Sequence, residues 1–486
     1  MTANPEPHDT LDPQDWETFR ALAHQMLDDA VDYIELIRKR PVWKAMPENV
    51  RRRFRSAVPE EPSDLAAVYD DFAQFIAPYA LGNAHPSFMG WVHGGGTPVG
   101  MMAEMLAAAL NSNLGGRDHA GVAVERQIVE WARQIFEFPD SASGLFVTGT
   151  SMANLLAVLI ARSWALGRAS RMTGLGDKGA QLRAYMSRAA HGCISRAMDF
   201  AGLGTDGLRL IETHVNDRMD MAALGRVVAQ DRDAGLTPFL VVGSAGTVDT
   251  GAIDDLETIA AFCHREGLWF HVDGAFGALA KLSPALAPRL RGIERADSIA
   301  FDFHKWAQVP YDAGFLLVRD ASRHLDAFAS PAAYLRREAR GLAAGSPWPC
   351  DLGPDLSRGF RALKTWFTLK TYGTKRLGRI MERSCAVARH LEARIEAEPS
   401  LELLAPAHLN IVCYRYRAAN PDDFNAALAV AIQESGIAAP STTVIDGKLA
   451  IRAAIFNHRT REQDVDALID ATLALAVDKE IYALSA

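Results

Sequence analysis

Between Asp15 and Arg55 apolar residues recur three or four positions apart: Leu22, Met26, Ala30, Tyr33, Ile34 and Ile37 share one helical stripe, and basic residues close the run. The spacing predicts a helical arm without a core of its own, which must lay its stripe on a neighbour, either a second subunit or its own chain. From about Pro98 to Pro347 the period changes. Short β-rich runs alternate with helical ones, the pattern of a mainly parallel sheet covered by helices. Five runs read as strands, at 144–147, 238–243, 268–272, 298–303 and 314–318, and their near-continuous apolar character suits burial on both faces. Beyond Gly353 the pattern is helical over 360–398, followed by strand-like runs at 411–416 and 449–455, a smaller α/β unit. No repeat or low-complexity tract interrupts this order.

A chain of 486 residues exceeds one small core, so two or three packed units are expected. Hydrophobic residues at 49% and charged residues at 23% suit an ordinary globular enzyme. The net charge of -8 offers no basic stripe for a phosphate backbone, so nucleic acid is not an expected partner. The opening MTANPEPHDTLDPQDWETF lacks the basic and apolar regions of a secretion signal, and no apolar stretch has membrane-spanning length. A cytoplasmic location without membrane attachment is the expectation. Cys193, Cys263, Cys350, Cys385 and Cys413 are scattered, never at CxxC spacing, and read as free thiols. His264 and His271 have no HExxH spacing and read as helix and strand-end residues, so no metal is expected.

The chemistry concentrates in LWFHVDGAFGALAKL at 268–282 and ADSIAFDFHKWAQVPYDAGFLLV at 296–318. An acid ends one strand and His-Lys ends another, and ligands of open α/β sheets gather at such carboxyl ends. Asp273 and Lys305 therefore share one crevice in this reading. A lysine among Phe301, Phe303 and Trp306 loses part of its preference for charge, which frees its amine for Schiff-base chemistry. A carboxylate beside a pyridine nitrogen keeps that nitrogen protonated, so the ring accepts electrons. Together the two residues describe pyridoxal 5′-phosphate. VTGTSMANLLAVLIAR at 147–162 supplies a strand, a small-residue turn and a helix, where Gly149, Thr150 and Ser151 present donors to an anion. The bland alternative is a plain N-cap. His191 falls at the junction of a short strand and a helix, as a structural histidine or a cofactor neighbour.

These segments resemble the group II pyridoxal-phosphate decarboxylases, the family of aromatic-L-amino-acid, histidine and glutamate decarboxylases. HVDGAFG is similar to the family's HVDAAYAG, and DSIAFDFHKW to its aspartate-serine…proline-histidine-lysine-tryptophan signature. HPSFMGWVHGGGTPVGMMAEML (85–106) resembles its substrate loop, SRGFRALKTWFTLKTYG (357–373) its Arg-Phe-Arg helix, and LAIRAAIFNHRT (449–460) its C-terminal strand. The resemblance implies the aminotransferase-like fold type I, α/β with a mainly parallel seven-stranded sheet and a smaller C-terminal α/β domain. It implies a homodimer divided at 1–93 (dimerisation arm), 94–355 (cofactor domain) and 356–486 (small domain). It further implies that Lys305 carries the cofactor, Asp273 faces the pyridine nitrogen, Ala275 lies on one ring face and His191 stacks on the other. Thr150 and Ser151 would hold the phosphate with His304 beside it, and Thr247 would lie near the cofactor. Trp91, His93 and Gly94 would line the substrate pocket, and Arg452 would help to hold the substrate.

The family's activity is decarboxylation of an L-amino acid to the amine and carbon dioxide, and three departures bear on it. The loop tyrosine credited with returning a proton to the α-carbon has no counterpart between Tyr334 and Tyr372, where Trp348, Pro349 and Cys350 stand. Loss of that acid opens the route to an aldehyde by oxidative deamination, and leaves His191 as a candidate donor. Gly246-Thr247-Val248 replaces Gly-Thr-Thr, one hydroxyl fewer. Asn113 and Gly115 replace apolar pocket residues, and Arg117 adds a charge. Trp91 and Phe88 favour an aromatic substrate by stacking, whereas Arg117 and His93 suit an acidic or polar one. A transaminase or lyase on the same fold, and a non-catalytic relative, are the remaining alternatives.

Overall fold

The computed structural model describes residues 10–214, 217–330 and 337–485, and the chain divides into two compact units at Gly82/Asn83. In the first unit the helix Trp16–Glu35 starts at Asp15, whose carboxylate accepts from the N–H groups of Glu17 and Thr18. The expected continuous helix to Arg55 does not form. Residues 40–47 are non-helical and helix resumes only at Glu48–Arg53, because Pro41 and Pro47 lack the N–H that a helix interior requires. Trp16, Phe19, Val68, Phe72 and Ile76 of this unit are exposed.

The second unit contains two sheets. Its strands are β1 (Phe88–Met89), β2 (Ser143–Val147), β3 (Leu182–Ser187), β4 (Leu208–Ile211), β5 (Thr237–Ser244), β6 (Trp269–Asp273), β7 (Ser298–Asp302), β8 (Gly314–Val318), β9 (Leu401–Ala405), β10 (Ile411–Tyr416), β11 (Ala439–Ile445) and β12 (Lys448–Ala454). The larger sheet has seven strands in the order β2-β8-β7-β6-β5-β3-β4, and β8 alone runs against the rest. Every residue of β2, β6, β7 and β8 is buried, as their unbroken apolar runs require. The five expected strands all form, within a residue or two of their expected ends. β3 was read only as the short strand before His191, and β4 was not legible because Arg209 interrupts its apolar run at the sheet edge, where it pairs with Asp231 on the covering helix Met221–Asp233.

The smaller sheet, β1-β11-β12-β10-β9, takes in β1 by parallel pairing with β11. Tyr414, Ile451, Leu428 and Leu468 form its core with the flanking helices. The expected helix at 360–398 is Arg361–Glu396, kinked at Gly373, whose φ of 69° and ψ of 156° are closed to most side chains. Just before it, the buried Arg358 guanidinium pairs with Glu125 at 2.6 Å and also donates to the carbonyls of Leu114 and Phe146.

Candidate active site

The carboxyl ends of β5, β6 and β7 and the turn after β2 open onto one cavity of about 350 Å³. Strands of one direction deliver their last residues to one side of the sheet, which is why Ser244, Asp273 and Asp302 meet there. Lys305 follows β7 by three residues and reaches back, its Nζ 2.8 Å from Asp302 Oδ2. Asp273 is buried at the end of β6, and burial pushes its carboxyl pKa upward against the opposing fields of His191 and Lys305. Asn154 Nδ2 donates to its Oδ2 at 3.0 Å, and the Ala275 N–H to its Oδ1 at 3.2 Å.

The anion seat lies across the cavity. Gly149 caps the helix Thr150–Leu166 without a side-chain hydrogen bond, and the buried Thr150 hydroxyl has no partner. Ser151 lines the same turn. His304 accepts the Ala313 N–H at Nδ1, so its neutral ring carries hydrogen on Nε2, 3.6 Å from Asp302. Burial pushes His304 down to about 4, which keeps it neutral near pH 7. His191 sits in the expected strand–helix junction and accepts the Cys193 N–H at Nδ1, which likewise leaves the proton on Nε2. Thr247 lines the cavity while its hydroxyl accepts from the Ala252 N–H.

The wall is aromatic. His93 stacks on Phe88 at 5.7 Å and meets Tyr311 edge-on at 5.6 Å, and Tyr311 lies 4.3 Å from His304. Burial, then Lys305, lowers the His93 pKa, and its buried Nδ1 has no partner. Trp91 stands at the rim, 51% exposed. Arg452 lines the cavity but spends Nη1 on Gly90 O and Nη2 on Val248 O, leaving a buried Nε unpaired.

Of the residues singled out from sequence, Lys305, Asp273, His191, Thr150, Ser151, Thr247, Ala275, His304, Trp91, His93 and Arg452 converge on this cavity. Two do not line it. Gly94 lies behind the lysine, where a Cβ would sit 2.4 Å from the carbonyl oxygens of His304 and Lys305. Asn113 closes its own turn, Oδ1 accepting from the N–H groups of Gly115 and Arg358. Arg117 is also elsewhere, stacked 4.3 Å from the Trp348 ring. Trp348 is buried and donates its indole N–H to Ala344 O, and Tyr334 lies outside the described residues. Asp302, Tyr311, Cys193 and Asn154 were not singled out. Asn154 had one sequence signal, its i,i+4 spacing from Thr150 on the same helix face.

The profile described as the pyridoxal-dependent decarboxylase conserved domain matches residues 47–417. An aromatic-L-amino-acid decarboxylase of Bacillus atrophaeus is 31% identical over 96% of this chain and 97% of its own. A phenylacetaldehyde synthase of Arabidopsis thaliana is 27% identical over 94% of this chain and 95% of its own. Among solved structures, the glutamate decarboxylase domain of a Vibrio parahaemolyticus diaminobutyrate-pyruvate transaminase and L-2,4-diaminobutyrate decarboxylase superposes with a TM-score of 0.86 at 28% identity, covering 96% of this chain and 97% of that one.

Proposed function

The chain belongs to the pyridoxal-dependent decarboxylase family, and from that premise we propose that its cavity converts an aromatic L-amino acid to the amine and carbon dioxide. The observation that carries the proposal is the meeting of Lys305, Asp273 and the Thr150 turn in one cavity beside an aromatic wall. The residues fit pyridoxal phosphate: an amine for the aldehyde, a buried carboxylate for the ring nitrogen, and an unpartnered buried hydroxyl at a helix start for the phosphate. When bound, the cofactor supplies a pyridinium ring that takes up the electrons of the breaking bond to the carboxylate carbon.

In this reading Lys305 would form the covalent link, with Asp302 2.8 Å from its Nζ to hold the amine in place. Thr150, Ser151 and His304 would hold the phosphate end, Thr247 would lie near the cofactor, and Ala275 and His191 would enclose the ring. Trp91, His93 and Tyr311 receive the side chain by stacking, and Arg452 offers Nε to the substrate carboxylate. With Arg117 engaged on Trp348, the charge that argued for an acidic substrate stands outside the cavity. His191, with hydrogen on Nε2, is a candidate to return a proton to the α-carbon.

The sequence between Tyr334 and Tyr372 holds no tyrosine to match the family's loop acid, which favours a second reading. In it the amino acid, oxygen and water give the aldehyde, carbon dioxide, ammonia and hydrogen peroxide. We further propose a cytoplasmic homodimer: the exposed apolar residues of the first unit call for a covering surface, and five free cysteines suit a reducing compartment. Borohydride reduction and peptide mapping test the link, which is refuted if the label sits on a lysine other than Lys305. Incubation with aromatic amino acids separates the two product sets by amine, aldehyde and peroxide.

A further inference from the structure

Asp273 has a connection that its own position in the cavity does not require. Trp269 Nε1–H donates to Ser298 Oγ at 2.9 Å, and Ser298 Oγ lies 2.8 Å from His271 Nδ1. His271 Nε2 lies 2.8 Å from Asn154 Oδ1, and Asn154 Nδ2 donates to Asp273 Oδ2 at 3.0 Å. Asn154, His271 and Ser298 are all fully buried.

Hydrogen-bonding capacity fixes the direction of this chain. A carboxylate only accepts, so Asn154 turns its NH2 to Asp273 and its carbonyl to His271. His271 must then donate from Nε2, which leaves Nδ1 to accept the Ser298 hydroxyl. An indole N–H only donates, so Trp269 supplies the Ser298 oxygen with its second bond. Every donor points toward Asp273. Burial holds His271 down at about 3, so its ring is neutral at working pH and contributes a dipole without a charge.

The relay opposes the burial that drives Asp273 toward its neutral form, and a neutral carboxyl cannot hold a proton on a ring nitrogen. Its last member shares a helix with the anion seat: Thr150 and Asn154, four residues apart, face the same way. One helix thus carries a group for each end of the cofactor.

We propose that Asn154, oriented by His271 and Ser298, is a positioning residue that keeps Asp273 ionised and thereby keeps the proton on the cofactor's ring nitrogen. This rests on the reading of the cavity as a pyridoxal phosphate site.

The test loads wild type, Asn154→Leu, His271→Leu, His271→Gln and Ser298→Ala with pyridoxal phosphate carrying ¹⁵N in the ring, and reads the nitrogen resonance by NMR. In Asn154→Leu the carboxylate becomes more basic and draws the shared proton to itself, so the resonance moves toward that of unprotonated pyridine. kcat falls about tenfold or more, the size expected for one hydrogen bond to a charged group, with a smaller change in KM. His271→Leu and Ser298→Ala move the resonance the same way by less. His271→Gln, which keeps an N–H toward Asn154, recovers part of the shift. A residue that merely filled space would lower the melting temperature and leave the resonance in place. Unmoved resonances in loaded Asn154→Leu and Ser298→Ala overturn the proposal, and Ser298→Ala decides alone if Asn154→Leu does not fold. Failure of wild type to take up the cofactor defeats the reading of the cavity itself, a visibly different result.

Discussion

At the scale of single residues, the proposed reading rests on the charge of Asp273. In that reading Asp273→Ala would remove the anion that opposes the ring nitrogen and is expected to raise the barrier by on the order of several kcal/mol, while Asp273→Glu keeps a displaced carboxylate and part of the activity. Steady-state kcat on one aromatic substrate measures both, and a fully active Asp273→Ala protein refutes the role. His191 yields a separate prediction: if it returns the proton, His191→Asn lowers the ratio of amine to aldehyde plus peroxide. Equal loss of all products would instead assign it to holding the cofactor. Lys305, Asp273, Thr150 and Ser151 were legible because each stands at a strand end or helix start, where a functional group interrupts an apolar run. Asn154 and His271 were not. Each sits inside an apolar element, and only the folded sheet brings β6 beside the helix that carries Asn154.

At the scale of elements, Arg358 joins the segment before the long kinked helix to the helix Ala120–Ile135 through Glu125. Arg358→Met leaves Glu125 buried without a counter-charge and two carbonyls without a donor, at a cost of about 3–5 kcal/mol. Adding Glu125→Leu removes the stranded charge, so the double variant is expected to regain part of the loss in chemical unfolding. A double variant as unstable as Arg358→Met would assign the cost to the carbonyls. Elements with one unbroken period were readable, including β8 and the helix to Glu396. The first helix was read too long because its stripe continues to Ile37 although Pro41 and Pro47 forbid the backbone to follow. β11 was missed because its outer half alternates with exposed threonine and valine.

At the scale of the whole molecule, buried imidazoles tie stability to pH. His324 is fully buried, shares a hydrogen bond with Ser143 and donates to Leu352 O, and burial pushes it down to about 4. Below its ordinary pKa of about 6.5 the unfolded chain binds a proton that the folded chain refuses, so this contribution is present above that pH and shrinks as pH falls toward 4. Replacing His324 by Gln should therefore flatten the acid limb. Between pH 6.5 and pH 5, about 1.5 units at 1.4 kcal/mol each, the variant is expected to lose about 2 kcal/mol less than wild type. Denaturant titrations at the two pH values measure it, and parallel losses would count against it. The two-sheet plan was legible as alternating strand and helix runs followed by a second α/β stretch, whereas the entry of Phe88–Met89 into the smaller sheet depends on pairing across some 350 residues, which no local pattern carries.

The Gly94 contact also bears on how this catalyst can be remodelled. Because main-chain atoms press against the backbone of His304 and Lys305, the back of the cavity tolerates almost no added volume. The rim is made of side chains instead, with Trp91 and Tyr311 about half open to solvent. A mutational library spread evenly over the cavity would waste its variants at the back, where a methyl group displaces the lysine. Concentrated on Trp91, His93 and Tyr311, the same number of variants samples new substrate preferences while the chemical apparatus stays fixed.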